Sequence, residues 1–193
     1  MSVLAADSVN LLAALRAVLA AKGIAGPEEI AGQIRSTDEA SPAQGARMVA
    51  KAWTDPAFRA LMLEDGTRAA ESLGIPMRGL PPLGVLEDRP EAHHLVVCTL
   101  CSCYPRAVLG YPPFWYKSAS YRARAVRDPR GLLLEWGTVL PAGVKLTVVD
   151  STADYRWMVL PLRPAATAGW SEAKLAAIVR EGDMIGVTIP LAS

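Results

Sequence analysis

The sequence is poor in charge, histidine and phenylalanine, and it contains no long hydrophobic run. Of its 193 residues only 20% are charged, and 20 Lys+Arg against 19 Asp+Glu leave a net charge of +1. A balance so close to zero excludes a general electrostatic grip on nucleic acid or on an anionic membrane. No stretch approaches the roughly 18 uncharged apolar residues that a membrane helix needs. The longest candidate, residues 95–105, is short and full of thiols and hydroxyls. The N-terminus has no basic region before its apolar residues and reaches Asp7 early, which argues against a secretory signal and for a cytoplasmic protein. Internal repeats and low-complexity tracts are missing too. Hydrophobic residues nevertheless make up 51%, an excess that fits either a subunit interface or a large core. There are three cysteines, an odd number that cannot close a disulfide framework, and all lie between Cys98 and Cys103.

The first seventy-odd residues read as helices. Val9, Leu12, Leu15, Val18 and Leu19 share one helical face, with a stop at Lys22-Gly23. Pro27-Glu28-Glu29 starts a second helix, with proline and acids suited to a helix N-terminus, and Ile30 and Ile34 on one side. A third is expected from Pro42 to Ala52, and a fourth from Asp55-Pro56 to Leu73. Glycine and proline between 77 and 82 suggest a linker, dividing the chain into a helical arm (1–76) and an α+β metal-binding domain (83–193). Short strands are expected at 83–86, 95–97, 145–150, 156–161 and 184–189, the 156–161 strand alternating around Trp157, Val159 and Pro161. A basic helix is expected at 121–127 and another at 170–180, capped by Ser171.

The segment Val97-Cys98-Thr99-Leu100-Cys101-Ser102-Cys103-Tyr104-Pro105 carries the chemistry. In a tight loop, cysteines at this spacing can turn three sulfurs to one point, and the Ser102 and Cys103 amides come to the same place. Three thiolates and two amide nitrogens leave a six-coordinate metal with one open position. Tetrahedral zinc fits that set poorly, and a low-spin trivalent ion fits it well. An open position is where a Lewis acid polarises substrate or activates water. Other readings stand beside it. Cys98 and Cys101 match a redox pair, though without a surrounding βαβ unit. Zinc would need a fourth ligand, for which His94 is nearest besides His93, and an iron–sulfur cluster normally takes four cysteines. The three could also be small buried hydrophobes.

The motif Cys98-Thr99-Leu100-Cys101-Ser102-Cys103 resembles that of nitrile hydratase alpha subunits and the related thiocyanate hydrolase gamma subunit. The resemblance extends over residues 45–53, 55–59, 93–97, 109–118, 121–130 and 184–187. It implies an α+β fold in which an N-terminal helical arm precedes a layered αββα domain, and hydration of a nitrile to an amide at a cobalt(III) or iron(III) centre. Thr99 after the first cysteine is the cobalt pattern. By position the metal ligands are Cys98, Cys101, Ser102 and Cys103. Cys98 is then the axial thiolate, Cys101 a cysteine sulfinic acid and Cys103 a cysteine sulfenic acid, while Ser102 and Cys103 add amide nitrogens. The same resemblance implies a beta subunit, as one chain or split into two, together with a metallochaperone or activator.

Further residues carry paired readings. Asp150 and Asp154 fall where the family has an acidic pair, but the second is usually Glu, and a surface ion pair is the plainer reading. Arg156 anchors the loop or a partner, or is a strand-edge charge. Tyr121, Arg122, Arg124, Arg127 and Arg130 form a basic run that reads as a solvated or interface face. His93 and His94 read as loop or interface residues, and Tyr111, Trp115 and Tyr116 as core or interface. After Cys103 the family places a tryptophan that lines the pocket, whereas this chain has Tyr104-Pro105-Arg106. Arg106 in place of that flat wall favours a polar or heteroaryl nitrile, as in the three-subunit toyocamycin nitrile hydratase. The alternatives are a thiocyanate hydrolase and a non-catalytic metal-binding or redox-sensing subunit.

Overall fold

The computed structural model describes the backbone of residues 3–192. The chain divides into two compact units, Met1–Glu39 and Ala40–Ser193. The first is a helix pair, α1 (Val3–Ala21) and α2 (Pro27–Glu39). Pro27 and the acidic Glu28 and Glu29 occupy the first turn of α2, and the Gly26 amide donates to the Glu29 carboxylate at 2.7 Å. Of the face expected on α1, Leu12, Leu15 and Val18 are exposed and Leu19 is half-buried; the Val9 side chain lies outside the described set. Among the described residues, no helix is long and apolar enough to cross a membrane.

The second unit is α+β. It runs α3 (Pro42–Thr54), α4 (Pro56–Glu64), α5 (Gly66–Ser72), β1 (Leu83–Glu87), β2 (Ala92–Val97), α6 (Arg106–Leu109), α7 (Phe114–Lys117), α8 (Ala119–Arg127), α9 (Pro129–Glu135), β3 (Lys145–Asp150), β4 (Arg156–Leu160), a 3₁₀ turn at Ala165–Thr167, α10 (Glu172–Ala177) and α11 (Glu181–Ile185). Two parallel strand pairs form, β1 with β4 and β2 with β3. Helices α8 and α9 lie on β2 and β3, α4 and α5 on β1, and α11 on β4, while β2 touches β4. Helix α3 buries Met48, Val49 and Ala50 completely. Its Gly45 leaves no room for a side chain, because a Cβ there would stand 2.7 Å from both Leu109 and Met184.

The helices of residues 42–72 therefore belong to the compact α+β unit, since α4 and α5 pack directly on β1. The helix expected over 55–73 is broken into two. Asp55 caps α4 by accepting from the Ala57 and Phe58 amides at 2.9 and 3.0 Å. Asp65 is extended and caps α5 through the Arg68 amide. The strand expected at 184–189 is instead the end of a helix. Asp183, fully buried, accepts from the Arg180 amide and the Thr188 hydroxyl at 2.8 and 2.5 Å, closing a helical turn that Gly186 ends at φ 84°. Met184, Ile185 and Val187 are all completely buried, and a continuously buried run has no period to separate strand from helix. For the same reason β4 does not alternate: Met158, Val159 and Leu160 are all buried.

His93 and His94 lie in β2, and His93 is only 4% exposed. The interface reading of His93 is thus replaced by a core role. Its Nδ1 lies 2.8 Å from the buried Asp88 carboxylate, and its Nε2 lies 2.8 Å from the Gly186 carbonyl. Both partners are acceptors, so the ring is held as imidazolium. His94 also reaches Asp88, through its amide at 2.8 Å and its Nδ1 at 3.0 Å. Gly186 is obligatory, since a Cβ would meet the His94 carbonyl oxygen at 1.8 Å.

Burial disfavours the charged His93, but the bond to Asp88 and its charge outweigh this and hold the pKa above the usual 6.5. Asp88 is likewise raised by burial and more than compensated by His93 and His94, so it lies below 3.8. The His93 contribution to stability is complete below pH 6.5 and is lost as pH rises through its folded value. The Asp88 contribution is complete above pH 3.8 and is lost as pH falls through its own folded value. Melting temperature should therefore fall as pH rises from 6.5 through the raised folded value of His93, and Asp88→Asn should flatten that fall while lowering the maximum.

Candidate metal centre

Strand β2 delivers its last residue, Val97, opposite Asp150 at the end of β3, and the Ser151 amide extends the pairing to the Val97 carbonyl at 2.7 Å. The chain then turns through 98–105 into α6. Cys98 and Cys103 are buried and Cys101 is exposed. Their three sulfurs all lie within 4.8 Å of one another, with Cys98 to Cys101 at 3.6 Å and Cys101 to Cys103 at 3.3 Å. The Cys101 amide lies 3.3 Å from the Cys98 sulfur, and the Ser102 and Cys103 amides face the Cys101 sulfur. Sulfurs and backbone nitrogens are thus gathered at one point, a donor set that fits a soft or trivalent transition metal.

Several groups hold the loop. The Asp150 carboxylate accepts from the Thr99 amide at 3.0 Å and from the Thr99 hydroxyl at 2.5 Å. The fully buried Tyr116 donates to the Cys103 carbonyl at 2.9 Å, and Tyr121 to the Val96 carbonyl at 2.6 Å. Arg122 donates to the Leu100 carbonyl at 3.0 Å and to that of Thr99 at 3.4 Å. Trp115, Tyr116, Tyr121 and Tyr104 stack edge-on beneath the loop, a packing worth about 1 kcal/mol per pair beyond burial.

The thiols are electrically unequal. The Cys103 thiol, then the Ser102 amide and the Cys98 thiol, lower the pKa of Cys101. Burial and then Cys101 push Cys103 up to about 12, against the opposing charge of Arg156. Ionisation starts at Cys101 while Cys103 keeps its proton at neutral pH. Uptake of a metal therefore releases protons and is favoured as pH rises.

Arg106, at the start of α6, stacks over the exposed Tyr111 ring, its guanidinium carbon 4.3 Å from the centroid. Arg106, Arg156, Tyr104, Met77, Leu83 and Val108 are among the residues lining a cavity of about 200 Å³. The lining contains two guanidiniums and no carboxylate. The Tyr104 hydroxyl donates to Glu181 at 2.5 Å; burial raises the pKa of both groups. Asp154 is exposed, and among the described residues only its amide is engaged, donating to the Thr152 hydroxyl at 3.3 Å. Asp150, and not Asp154, touches the cysteine loop.

The basic run is not a uniform solvated face. Arg124 forms two bonds with Glu135 at 2.5 and 2.8 Å, and Arg130 donates to the Leu140 and Val144 carbonyls. Tyr116 and Arg122 reach the loop from 13 and 22 residues away, and Tyr121 reaches the end of β2 from 25, a proximity with no local sequence signal.

An α+β unit that gathers three thiols on one strand-to-helix loop is built as a thiolate metal-binding chain. The chain matches the family description "Nitrile hydratase, alpha chain" over residues 6–188. It belongs to that family. It is similar to the cobalt-containing nitrile hydratase subunit alpha of Pseudonocardia thermophila, with 50% identity over 78% of this chain and 74% of that one. It is also similar to the thiocyanate hydrolase subunit gamma of Thiobacillus thioparus, 46% identical over 77% of this chain and 66% of the relative. Among solved structures, a double mutant of the iron-type nitrile hydratase of Comamonas testosteroni Ni1 superposes with a TM-score of 0.80. It has 40% identity and covers 96% of this chain and 91% of the other.

Proposed function

We propose that this chain is the metal-carrying alpha subunit of a cobalt-type nitrile hydratase. The observation that carries the reading is the convergence of the Cys98, Cys101 and Cys103 sulfurs within 4.8 Å, on a loop with threonine after its first cysteine. In this reading Cys98 holds cobalt(III) as a thiolate, Cys101 and Cys103 as sulfinate and sulfenate, and Ser102 and Cys103 through amide nitrogens. When bound, cobalt(III) supplies the Lewis acidity that polarises a carbon–nitrogen triple bond.

The chain's residues do the rest. The Cys103 sulfenate oxygen would serve as the base that takes a proton from water as the water oxygen bonds to the nitrile carbon, or as a nucleophile that water then displaces; one water adds across the triple bond and the amide leaves. Asp150 fixes Thr99, and with it the turn between the first two ligands. The lowered pKa of Cys101, against the raised pKa of Cys103, makes Cys101 the readier of the two to become a thiolate, the form that a two-electron oxidant such as dioxygen attacks. Tyr104 and the guanidiniums of Arg106 and Arg156 line the substrate cavity and suit a polar or heteroaryl nitrile. Leu100 and Phe114, 87% and 91% exposed, offer apolar contacts to a beta subunit of one chain or two. A metallochaperone loads the metal in the cytoplasm.

The two guanidiniums without a carboxylate favour one second reading, a thiocyanate hydrolase gamma-type subunit, because a small anion is stabilised between them. Product analysis of the chain co-expressed with its beta subunit separates the two. Amide from a heteroaryl nitrile, with no carbonyl sulfide from thiocyanate, supports the nitrile hydratase. The reverse pattern assigns the hydrolase.

A further inference from the structure

We infer that Arg122 is a positioning residue for the metal loop, acting through the carbonyls of Thr99 and Leu100. The inference rests on the reading of the cysteine loop as a metal site. Thr99 and Leu100 are the two residues between the first and second cysteines, and the path of their backbone decides whether the Cys98 and Cys101 sulfurs meet. Their donors and acceptors are held from opposite sides. Asp150, at the end of β3, takes the Thr99 amide at 3.0 Å and its hydroxyl at 2.5 Å. Arg122, on α8, gives one terminal nitrogen to Leu100 at 3.0 Å and to Thr99 at 3.4 Å.

Among the described residues, no other donor reaches either carbonyl. The neighbouring carbonyls have partners of their own: Val96 has Tyr121, Val97 has the Ser151 amide and Cys103 has Tyr116. Among the described residues, the Arg122 grip is therefore the single internal tie on the carbonyls of Thr99 and Leu100. The Arg122 Nε is buried and, among the described residues, has no hydrogen-bond partner, so the side chain engages through its terminal nitrogen. Both bonds come from the same terminal nitrogen, so a lysine ammonium reaching that point keeps a donor there and loses the fixed plane of the guanidinium.

The test uses the full chain co-expressed with its beta subunit in cobalt medium, as wild type, Arg122→Gln and Arg122→Lys. Cobalt release to EDTA is followed together with the thiolate-to-cobalt charge-transfer absorption. Amide hydrogen exchange of the 98–103 segment is measured on the metal-free chain. The expected result is release at least about tenfold faster in Arg122→Gln, in line with the usual loss when a ligand's supporting hydrogen bond is removed. A shifted charge-transfer band, faster exchange at 98–103 and unchanged exchange across β2 should accompany it, with partial recovery in Arg122→Lys. A residue that merely supports α8 would lower the melting temperature and leave band and release rate alone. Unchanged release, band and exchange in Arg122→Gln overturn the inference. A wild-type complex that takes up no cobalt overturns the metal reading instead, while the exchange measurement still judges the Arg122 hold on the loop.

Discussion

Replacing Cys101 with serine in the co-expressed complex should abolish stable cobalt binding and lower nitrile hydration by roughly three orders of magnitude. Serine keeps the size and the loop contacts, but its hydroxyl does not ionise near neutral pH. One of three anionic sulfurs is then lost, and losing about 4 kcal/mol of the 10–16 kcal/mol typical of a thiolate-rich site corresponds to about a thousandfold. Cys101 is the informative choice because it is exposed, whereas Cys98 and Cys103 are buried, so the substitution leaves the core untouched. Its sulfur also bridges the other two, at 3.6 and 3.3 Å. The measurement is cobalt per chain with turnover at matched protein concentration. Wild-type cobalt content in Cys101→Ser would contradict the ligand assignment.

Arg106→Trp should shift substrate preference by roughly tenfold toward acrylonitrile and away from a polar heteroaryl nitrile or thiocyanate. The guanidinium lines the same cavity as Arg156 and is held over Tyr111. A charge about 4 Å from an anionic or strongly dipolar group gains up to about 4 kcal/mol near a protein surface. Arg106 is exposed in this chain, so solvent screening reduces that to about 1–2 kcal/mol. The change should lie mainly in KM for the polar substrate, because the cation acts on binding. An unchanged ratio of kcat/KM values between the substrates would remove Arg106 from the pocket.

How much of this was legible in the sequence depends on whether the signal is local. Helix α2 announced itself by Pro27 and its acids, and β3 by Lys145–Asp150, because caps and short apolar runs act within a few residues. The cysteine spacing likewise contained the sulfur convergence, since three ligands in six residues need only one turn. Asp65 was read as part of one long helix because a side chain that can cap looks the same as one that merely faces water. The 184–189 run resembled a strand because burial on all sides hides the period. His93, Tyr116, Tyr121 and Arg122 could not be placed from spacing. Their partners Gly186, Cys103, Val96 and Leu100 are far away in sequence: the contact of α11 with β2 brings His93 to Gly186, and α7 and α8 bring Tyr116, Tyr121 and Arg122 to theirs. Asp154 shows the opposite case: the resemblance leads one to expect an acidic pair with Asp150, yet its side chain is exposed and, among the described residues, makes no hydrogen bond.

The central claim is that the 98–103 loop carries cobalt and oxidised cysteines. It is tested most directly by metal analysis and mass spectrometry of the 98–103 peptide from the co-expressed complex. The account predicts one cobalt per chain, a sulfinate on Cys101 and a sulfenate on Cys103, with Cys98 unmodified. Zinc bound to three unmodified thiols would contradict it and assign the loop to metal binding or redox sensing without catalysis.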